Sequence, residues 1–258
     1  KDTHEQVKHG ANVLDVNAGV VYNSNPDPNL TEPPLMQKMI SLIQEISDIP
    51  LCIDSSVPNA LKAGLETAHG RPLLNSVTGE EERLEEILPL VKKYNVPVVA
   101  ISNDDSGISE DPDVRFEVAK KIVNRASDYG IKAYDIVVDP LVMPIGAMGT
   151  AGLQVFQLVR RLRQELGVNT TCGASNISFG LPNRHTINAT FLPMAMAAGM
   201  TSAIMNPNRS EEMNAVRAAN LLLDNDSYGS QWIKNNRSTS EIASAEQKIT
   251  RRRTRRVK

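Results

Sequence analysis

Residues 96–103, with the sequence VPVVAISN, hold the pattern that decides the fold of this chain. An apolar run of strand length leads directly into Ser102 and Asn103. Segments with apolar residues at helical spacing lie on both sides of it, Glu80–Tyr94 before and Val114–Tyr129 after. This alternation of helix, strand and helix is typical of a parallel sheet with crossover helices.

The same unit recurs along the whole chain. The predicted strands are Asn12–Val16, Leu51–Asp54, Pro72–Val77, Val96–Ser102, Ile136–Val142, Thr170–Asn176 and Ala203–Asn206. The clearest further helices are Leu35–Ile46, Leu153–Leu166, Ile187–Ala198 and Glu211–Leu223, with shorter ones at Thr3–Lys8 and Tyr228–Lys234. Asp111-Pro112 and Gly130 are expected to start and stop the helix between them.

Seven regular units in 258 residues predict an α/β fold, a (β/α)8 TIM barrel in one domain spanning residues 1–235. A closed barrel of this kind needs eight strands. We therefore expect the sequence to begin inside the natural protein and to lack its first strand, because an open gap would leave two strand edges unpaired. A flavodoxin-like open sheet is the alternative.

Charge and composition restrict the surroundings in which the chain works. From Asn236 onward, eight Lys and Arg stand against two Glu, so residues 236–258 carry +6 and the rest about −8 of the net −2. We expect a flexible basic tail without a role in nucleic-acid binding, because no aromatic residue is interleaved. The two cysteines lie in apolar runs, which predicts a reducing compartment. No apolar stretch is long enough to span a membrane, so a cytoplasmic enzyme is expected.

Polar residues stand where the predicted strands end. They are Asp15 and Asn17, Asp54 with Ser55 and Ser56, Asn75, Ser102 and Asn103, Asp139, Ser175 and Asn176, and Asn206. In a barrel these positions meet at the mouth where catalytic residues gather. Each alone is equally compatible with helix capping or turn formation. The set as a whole predicts a polar ligand.

The residue types of this set restrict the ligand. Three acids and several amides, with no Lys or Arg, suit a flat heterocycle rich in donors better than a phosphate. A pterin ring presents an amino group and a ring N–H side by side, and one carboxylate can accept both. The three aspartates could instead hold Mg²⁺, but no acid ends the fourth strand and the four histidines lack ligand spacing. No metal is therefore expected.

Residues 10–19, GANVLDVNAG, resemble the second strand of the pterin-binding enzyme superfamily. Further matches follow in the order of one branch of it: Leu51–Ser55, Leu74–Ser76, Val138–Leu141, Gly173–Ser178, Pro182–Arg184 and Ile187–Ala197. From about Gly10 to Asn235 the chain resembles the methyltetrahydrofolate:corrinoid methyltransferases and the folate module of cobalamin-dependent methionine synthase.

The resemblance implies a role for each matching residue. Asp54, Asn75 and Asp139 would hold the pterin ring, and Asn176 would reach the N5 atom that carries the methyl group. Substrate-binding positions implied by the motifs or by their place at the strand ends are Asp15, Asn17, Gly173, Ser175 and Arg184. Asn176 and Asp139 are the expected catalytic pair.

The resemblance also implies partners and leaves alternatives. Tetrahydrofolate or its methyl derivative would be the substrate, and cobalamin would be carried by a corrinoid protein or domain, since the chain has no Asp-x-His-x-x-Gly signature. A homodimer is implied. A dihydropteroate synthase-like enzyme is a rival, although Ser175–Ser178 stand in place of its Ser-Arg-Lys segment. A non-catalytic folate-binding module of a larger methyltransferase is the other.

Overall fold

The computed structural model describes residues 2–19 and 27–237. Its strands are β1 Leu14–Asn17, β2 Leu51–Asp54, β3 Leu73–Val77, β4 Val98–Ile101, β5 Ile136–Asp139 and β6 Asn169–Thr170. Its helices are α1 Asp2–His9, α2 Pro28–Gln44, α3 Pro58–Thr67, α4 Glu81–Tyr94, α5 Pro112–Asp128, α6 Ala151–Arg161, α7 Arg184–Ala198, α8 Ser210–Leu222 and α9 Ser230–Asn236. The predicted alternation of strands and helices is confirmed.

The strands form one parallel sheet in the order β1 to β6, so each strand pairs with the next along the chain. Their side chains are mostly buried, as in β2, where Leu51, Cys52 and Ile53 are all buried. Helices cover the sheet because a parallel strand is followed by a crossover of at least a dozen residues. The predicted α/β class with a parallel sheet is confirmed.

Two predicted strands are shorter than expected. Of Thr170–Asn176 only the first residue belongs to β6, and Ala203–Asn206 contributes a single parallel bridge between Ile204 and Gly173. The backbone still pairs on both sides, since Thr171 N donates to the carbonyl of Val138 at 3.0 Å and Ile204 N to that of Cys172 at 2.8 Å. The strand prediction was wrong beyond residue 174, because the chain turns there and residues Asn176–Ser178 form a 3-10 helix.

The two ends of the sheet are not hydrogen-bonded to each other in the described residues. The helices nevertheless meet there. Arg217 of α8 donates from Nη2 to the carbonyl of His9, at the end of α1, over 2.8 Å. A Cβ at Gly10 would lie 3.3 Å from both Arg217 and Met213, so α1 and α8 are in close contact. α1 and α8 therefore touch between the two ends of the sheet.

Two helices differ from their predictions. α2 begins at Pro28, seven residues before the predicted start at Leu35, and continues through Pro33 and Pro34. The Asp27 side chain accepts from Asn29 N and caps the helix, which offsets the hydrogen bonds that the two prolines cannot make. α3 was not among the helices predicted from periodicity. The start signal at Asp111-Pro112 is confirmed, because Asp111 caps α5.

The core has two parts. The larger one packs β1 to β5 against the helices on their outer side, with Ile53, Leu74, Val98 and Ile136 at its centre. The smaller one lies between α6 and α7 and includes Phe156 stacked on Phe191.

No helix in residues 2–19 and 27–237 is long and apolar enough to cross a membrane. Most of the predicted basic tail, residues 238–258, lies outside the described residues, so that prediction stays open.

Gly64 of α3 gives a test of the packing. A Cβ at this position would lie 2.6 Å from Ile53 Cγ2, so Gly64→Ala must push α3 away from β2. We expect the free energy of unfolding in urea to fall by about 1–3 kcal/mol. The matched control is Gly152→Ala in α6, where the nearest atom to the new Cβ is 4.0 Å away. The control should unfold within about 0.5 kcal/mol of the parent or be more stable, and equal losses in both variants would contradict the packing described.

Candidate functional site

The sheet register places Asn17, Asp54 and Asn75 side by side. Asn17 and Asp54 are the last residues of β1 and β2, whereas Asn75 lies in the middle of β3 and not at its end as predicted. Asn17 donates from Nδ2 to Asp54 Oδ2 at 2.7 Å, while its Oδ1 accepts from Gly19 N. The amide of Asn17 therefore both orients Asp54 and forms the turn after β1. Asn75 is buried next to them. Three of the predicted site residues thus form one row.

Asp15 and Cys52 are also neighbours in the sheet register, and each lies two residues before the end of its strand. Asp15 is exposed, but protein surrounds its carboxyl on several sides, and this burial together with the charge of Asp54 raises its pKa to about 6. Burial also raises the pKa of Asp54, although hydrogen bonds from Asn17 and Asp15 oppose the rise. A carboxyl pair of this kind retains a proton more readily than two isolated aspartates.

Glu32 of α2 was missed by the sequence analysis. It is 2% exposed, and its Oε2 accepts a hydrogen bond from Ser55 Oγ. Ser55 Oγ also accepts from Val57 N at 2.9 Å, and Ser55 N donates to the carbonyl of Asn75 at 3.0 Å. Glu32 therefore anchors the loop after β2. The prediction started α2 at Leu35, which left Glu32 in an apparent loop and hid its burial.

Asp139 ends β5, opposite Ile101 of β4 in the sheet register. Its Oδ1 accepts from Leu141 N at 2.8 Å, and no described residue donates to its Oδ2. Burial raises the pKa of Asp139 to about 6, and the hydrogen bond from Leu141 lowers it slightly. Ser102, which directly follows β4 as predicted, donates its hydroxyl to the Asp139 carbonyl at 2.8 Å. Asp139 thus keeps an oxygen available for a ligand.

The loop after β6 carries the remaining predicted residues. Asn176 folds back over Gly173, where a Cβ would lie 3.1 Å from Asn176 Nδ2. A side chain at position 173 would therefore crowd the Asn176 amide and require it to shift. Ser175 and Asn176 are exposed. Arg184 donates from Nη2 to the Ser175 carbonyl at 2.7 Å, so the structure gives it a contact within the loop rather than a free position at the mouth.

A buried polar network supports this loop from behind. Ser178 donates to Asn188 Oδ1 at 2.7 Å, and Asn188 donates to Glu212 Oε1 at 3.1 Å. His185 Nδ1 is 2.9 Å from the same Glu212 oxygen, and Arg184 Nε donates to Ser178 Oγ at 3.1 Å. The sequence analysis missed this network because its residues sit on three different elements and follow no strand.

The predicted residues therefore fall into two groups. The first holds Asp15, Asn17, Asp54 and Asn75, and the second holds Gly173, Ser175, Asn176 and Arg184. Asp139 adjoins the second group, since its charge helps to raise the pKa of the Cys172 thiol. The loops after β5 and β6 are joined, because Ile145 N donates to the Ile177 carbonyl at 2.9 Å. In the described ranges, no three His, Cys, Asp or Glu side chains are grouped to hold a metal ion.

The raised pKa of Asp139 predicts a pH-dependent gain in stability for Asp139→Asn. Between pH 3.8 and about 6 the folded protein holds a proton that the unfolded chain has released, so the parent loses stability as the pH rises through this window. This rise in the pKa of Asp139 corresponds to a loss of roughly 3 kcal/mol in the free energy of unfolding. Relaxation of the protein around the ionised carboxylate makes the loss smaller. We expect Asp139→Asn to be about 1–3 kcal/mol more stable than the parent in urea at pH 8 and nearly equal to it at pH 4. The same difference at both pH values would show that the Asp139 charge is not its cause.

Solved structures with the same fold include two dihydropteroate synthases. The enzyme from Xanthomonas albilineans, in complex with 7,8-dihydropteroate, superposes with a TM-score of 0.64 and 18% identity over 86% of this chain and 83% of that one. The Yersinia pestis enzyme, in complex with a sulfonamide drug, gives 0.65 and 14% over 86% and 84%. At these identities the likeness concerns the fold alone.

Curated relatives are closer in sequence. The chain is 33% identical over 232 residues to the methylcorrinoid:tetrahydrofolate methyltransferase of Eubacterium limosum, covering 89% of this chain and 83% of that protein. It is 30% identical over 236 residues to the methionine synthase of Mycobacterium tuberculosis (strain ATCC 25618 / H37Rv), which covers 85% of this chain but only 19% of the synthase.

The family model of the pterin binding enzymes matches residues 1–206. This range includes the row of Asn17, Asp54 and Asn75, together with Asp139 and the Asn176 loop. With the sheet, the strand-end residues and the relatives in agreement, this chain belongs to the pterin binding enzyme family.

Proposed function

We propose that this chain moves a methyl group between N5 of tetrahydrofolate and the cobalt of a corrinoid protein. The observation that carries the proposal is the set of carboxylates and amides on the strands, Asp54 and Asp139 at the ends of β2 and β5 and Asn75 within β3. Asp139 retains an oxygen that no described residue uses, and Asp54 is oriented by Asn17. The relative from Eubacterium limosum, named for this reaction, supports the choice within the family.

The pterin ring is the part of the substrate that these residues suit. Its 2-amino group and adjacent ring N–H are parallel donors, and an ionised carboxylate accepts such a pair strongly. The amide of Asn75 has both a donor and an acceptor for the rest of the ring edge. Since the pKa of Asp139 is about 6, it is ionised and able to accept at neutral pH.

The chemical difficulty of the reaction lies at N5. When the N5–methyl bond breaks, its electrons remain on nitrogen, so N5 must gain a proton before or during transfer. Bound to its carrier protein, the reduced corrinoid supplies the nucleophile that receives the methyl group. The Asn176 loop offers no acid, because Asn176 is an amide and Ser175 a hydroxyl. We propose that Asn176, with Asp139 and water, forms a hydrogen-bond network that favours the protonated N5.

A dihydropteroate synthase activity is the alternative with a structural counterpart, since such enzymes share the fold. It would need basic groups for a diphosphate at the loop after β6. Arg184, the cation of that loop, is engaged with Ser175 and Ser178. We therefore favour methyl transfer.

We also propose that residues 1–235 form the catalytic domain, that a corrinoid protein is the partner, and that the protein is a homodimer.

Asn176→Ala tests the role of the amide. Hydrogen bonds to a charged group contribute about 1.5–3 kcal/mol, so transfer should slow by roughly 10–150-fold while the Kd for methyltetrahydrofolate changes less. Single-turnover transfer rates and Kd would be measured for each variant. Asn124→Ala, which removes an exposed amide on α5, is the control and should match the parent. A normal transfer rate in Asn176→Ala would eliminate the proposed network.

The reaction itself is tested by an anaerobic assay that follows the Co(I) absorbance of reduced cobalamin after methyltetrahydrofolate and the protein are added. We expect enzyme-dependent loss of Co(I) with appearance of methylcobalamin. If methyltetrahydrofolate binds without turnover, the assay is repeated with a corrinoid protein as acceptor. Binding without turnover there as well would indicate a folate-binding module, and no binding would refute the pterin site.

A further inference from the structure

Arg115 of α5 is a charged side chain in a place that disfavours charge. It is 1% exposed, and burial lowers its pKa. Within the part of the chain that the structure describes, it takes part in no ion pair. The charge of Asp111 at the start of α5 acts on it only from a greater distance. Buried arginines are normally paired, so its hydrogen bonds must account for its position.

Those hydrogen bonds converge on the loop after β5. Arg115 Nη1 donates to the Pro140 carbonyl at 2.9 Å and to the Leu141 carbonyl at 2.7 Å. Nη2 donates to Gln154 Oε1 at 2.8 Å, and Nε has no partner. One nitrogen thus holds two successive peptide groups, which the fixed plane of a guanidinium does better than a flexible ammonium.

The first of these two peptide groups orients Asp139. It contains both the Pro140 carbonyl, which Arg115 holds, and the Leu141 N–H, which donates to Asp139 Oδ1 at 2.8 Å. Leu141 itself has a φ of 59°, in the left-handed region that a bulky side chain rarely occupies. A conformation of this kind persists only where surrounding groups impose it. Arg115 supplies those groups, and its contacts reach Asp139 only through the backbone of residues 140–141.

We propose that Arg115 is a positioning residue for Asp139, which fixes the Pro140–Leu141 backbone so that the Asp139 carboxylate faces the pterin ring. This inference rests on the proposed function, because it assigns Asp139 to the ligand. It differs from a general stabilising role in one respect. The effect of Arg115 on binding must depend on the presence of the Asp139 carboxylate.

A double-mutant cycle measures that dependence. The Kd for methyltetrahydrofolate would be determined for the parent, Arg115→Met, Asp139→Asn and the double variant. We expect Arg115→Met to weaken binding at least about 10-fold in the parent and less than about 3-fold in the Asp139→Asn background, because coupled residues are not additive. Gln154→Leu is the control; it removes the Nη2 partner but leaves both Nη1 bonds, and should change the Kd less than about 3-fold. Equal fold-changes in both backgrounds would overturn the proposal.

Hydrogen exchange of the free protein gives a test that needs no ligand. In Arg115→Met the amide of Leu141 should exchange faster while amides in β2 and β3 keep the parent rate. If Arg115→Met does not fold, Arg115→Lys, which keeps the charge but loses the planar fork, is measured instead. An unchanged rate at Leu141, or the same acceleration everywhere, would overturn the proposal. If the parent binds no methyltetrahydrofolate, the proposed function fails, and exchange at Leu141 still decides whether Arg115 holds this loop.

Discussion

Helices cover the sheet of this chain, so polar side chains are confined to a few positions on its strands. In β2 only the last residue, Asp54, is polar, and β4 is apolar throughout. Asp15 and Asn75 are polar residues within β1 and β3. Parallel pairing brings the carboxyl ends of all strands to one edge. The register then places Asn17, Asp54 and Asn75 in a single row, because each strand pairs with the next one along the chain. The site is therefore a direct result of how the sheet is buried.

Collecting carboxyl groups at one edge opposes the stability of the fold. Burial raises the pKa values of Asp15, Asp54 and Asp139, so each is less stable as an ion than it would be in water. Two buried polar side chains, one from an acidic and one from a basic residue, stand behind them. Glu32 anchors the loop after β2, and Arg115 holds the loop after β5. Binding sites commonly depend on such a second layer, because ligand-facing groups must be held before the ligand arrives.

The fold class and the strand-end residues could be predicted from the sequence because both depend on local patterns. Apolar runs and the residues that end them are contiguous, so β2 was predicted with its observed bounds and Asp54 with it. Glu32, Arg115, Asn188 and Glu212 could not be found this way. Each is a polar residue on a helix, where most polar residues face water. Only the contacts of those helices with the loops make them buried, and the sequence carries no local signal of such contacts.

The loop after β6 was predicted as strand for a related reason. Cys172, Gly173 and Ala174 continue the apolar character of a strand, but the chain turns after them, and the Asn176 amide lies close over Gly173. A periodic pattern records which residues are apolar and not which backbone atoms approach each other. The resemblance to the methyltransferase motifs, and not the periodic pattern, is what pointed to Asn176, and the predicted secondary structure at that position was wrong.

The contact between Arg217 and the His9 carbonyl joins residues 208 positions apart. A ribosome releases the chain from its amino end, so α1 emerges long before its partner on α8 exists. Until then the units between them can pair only with their sequence neighbours, in the order β1 to β6. The contact therefore forms only after α8 has been translated, and α1 must wait for all the units between them before it acquires its place.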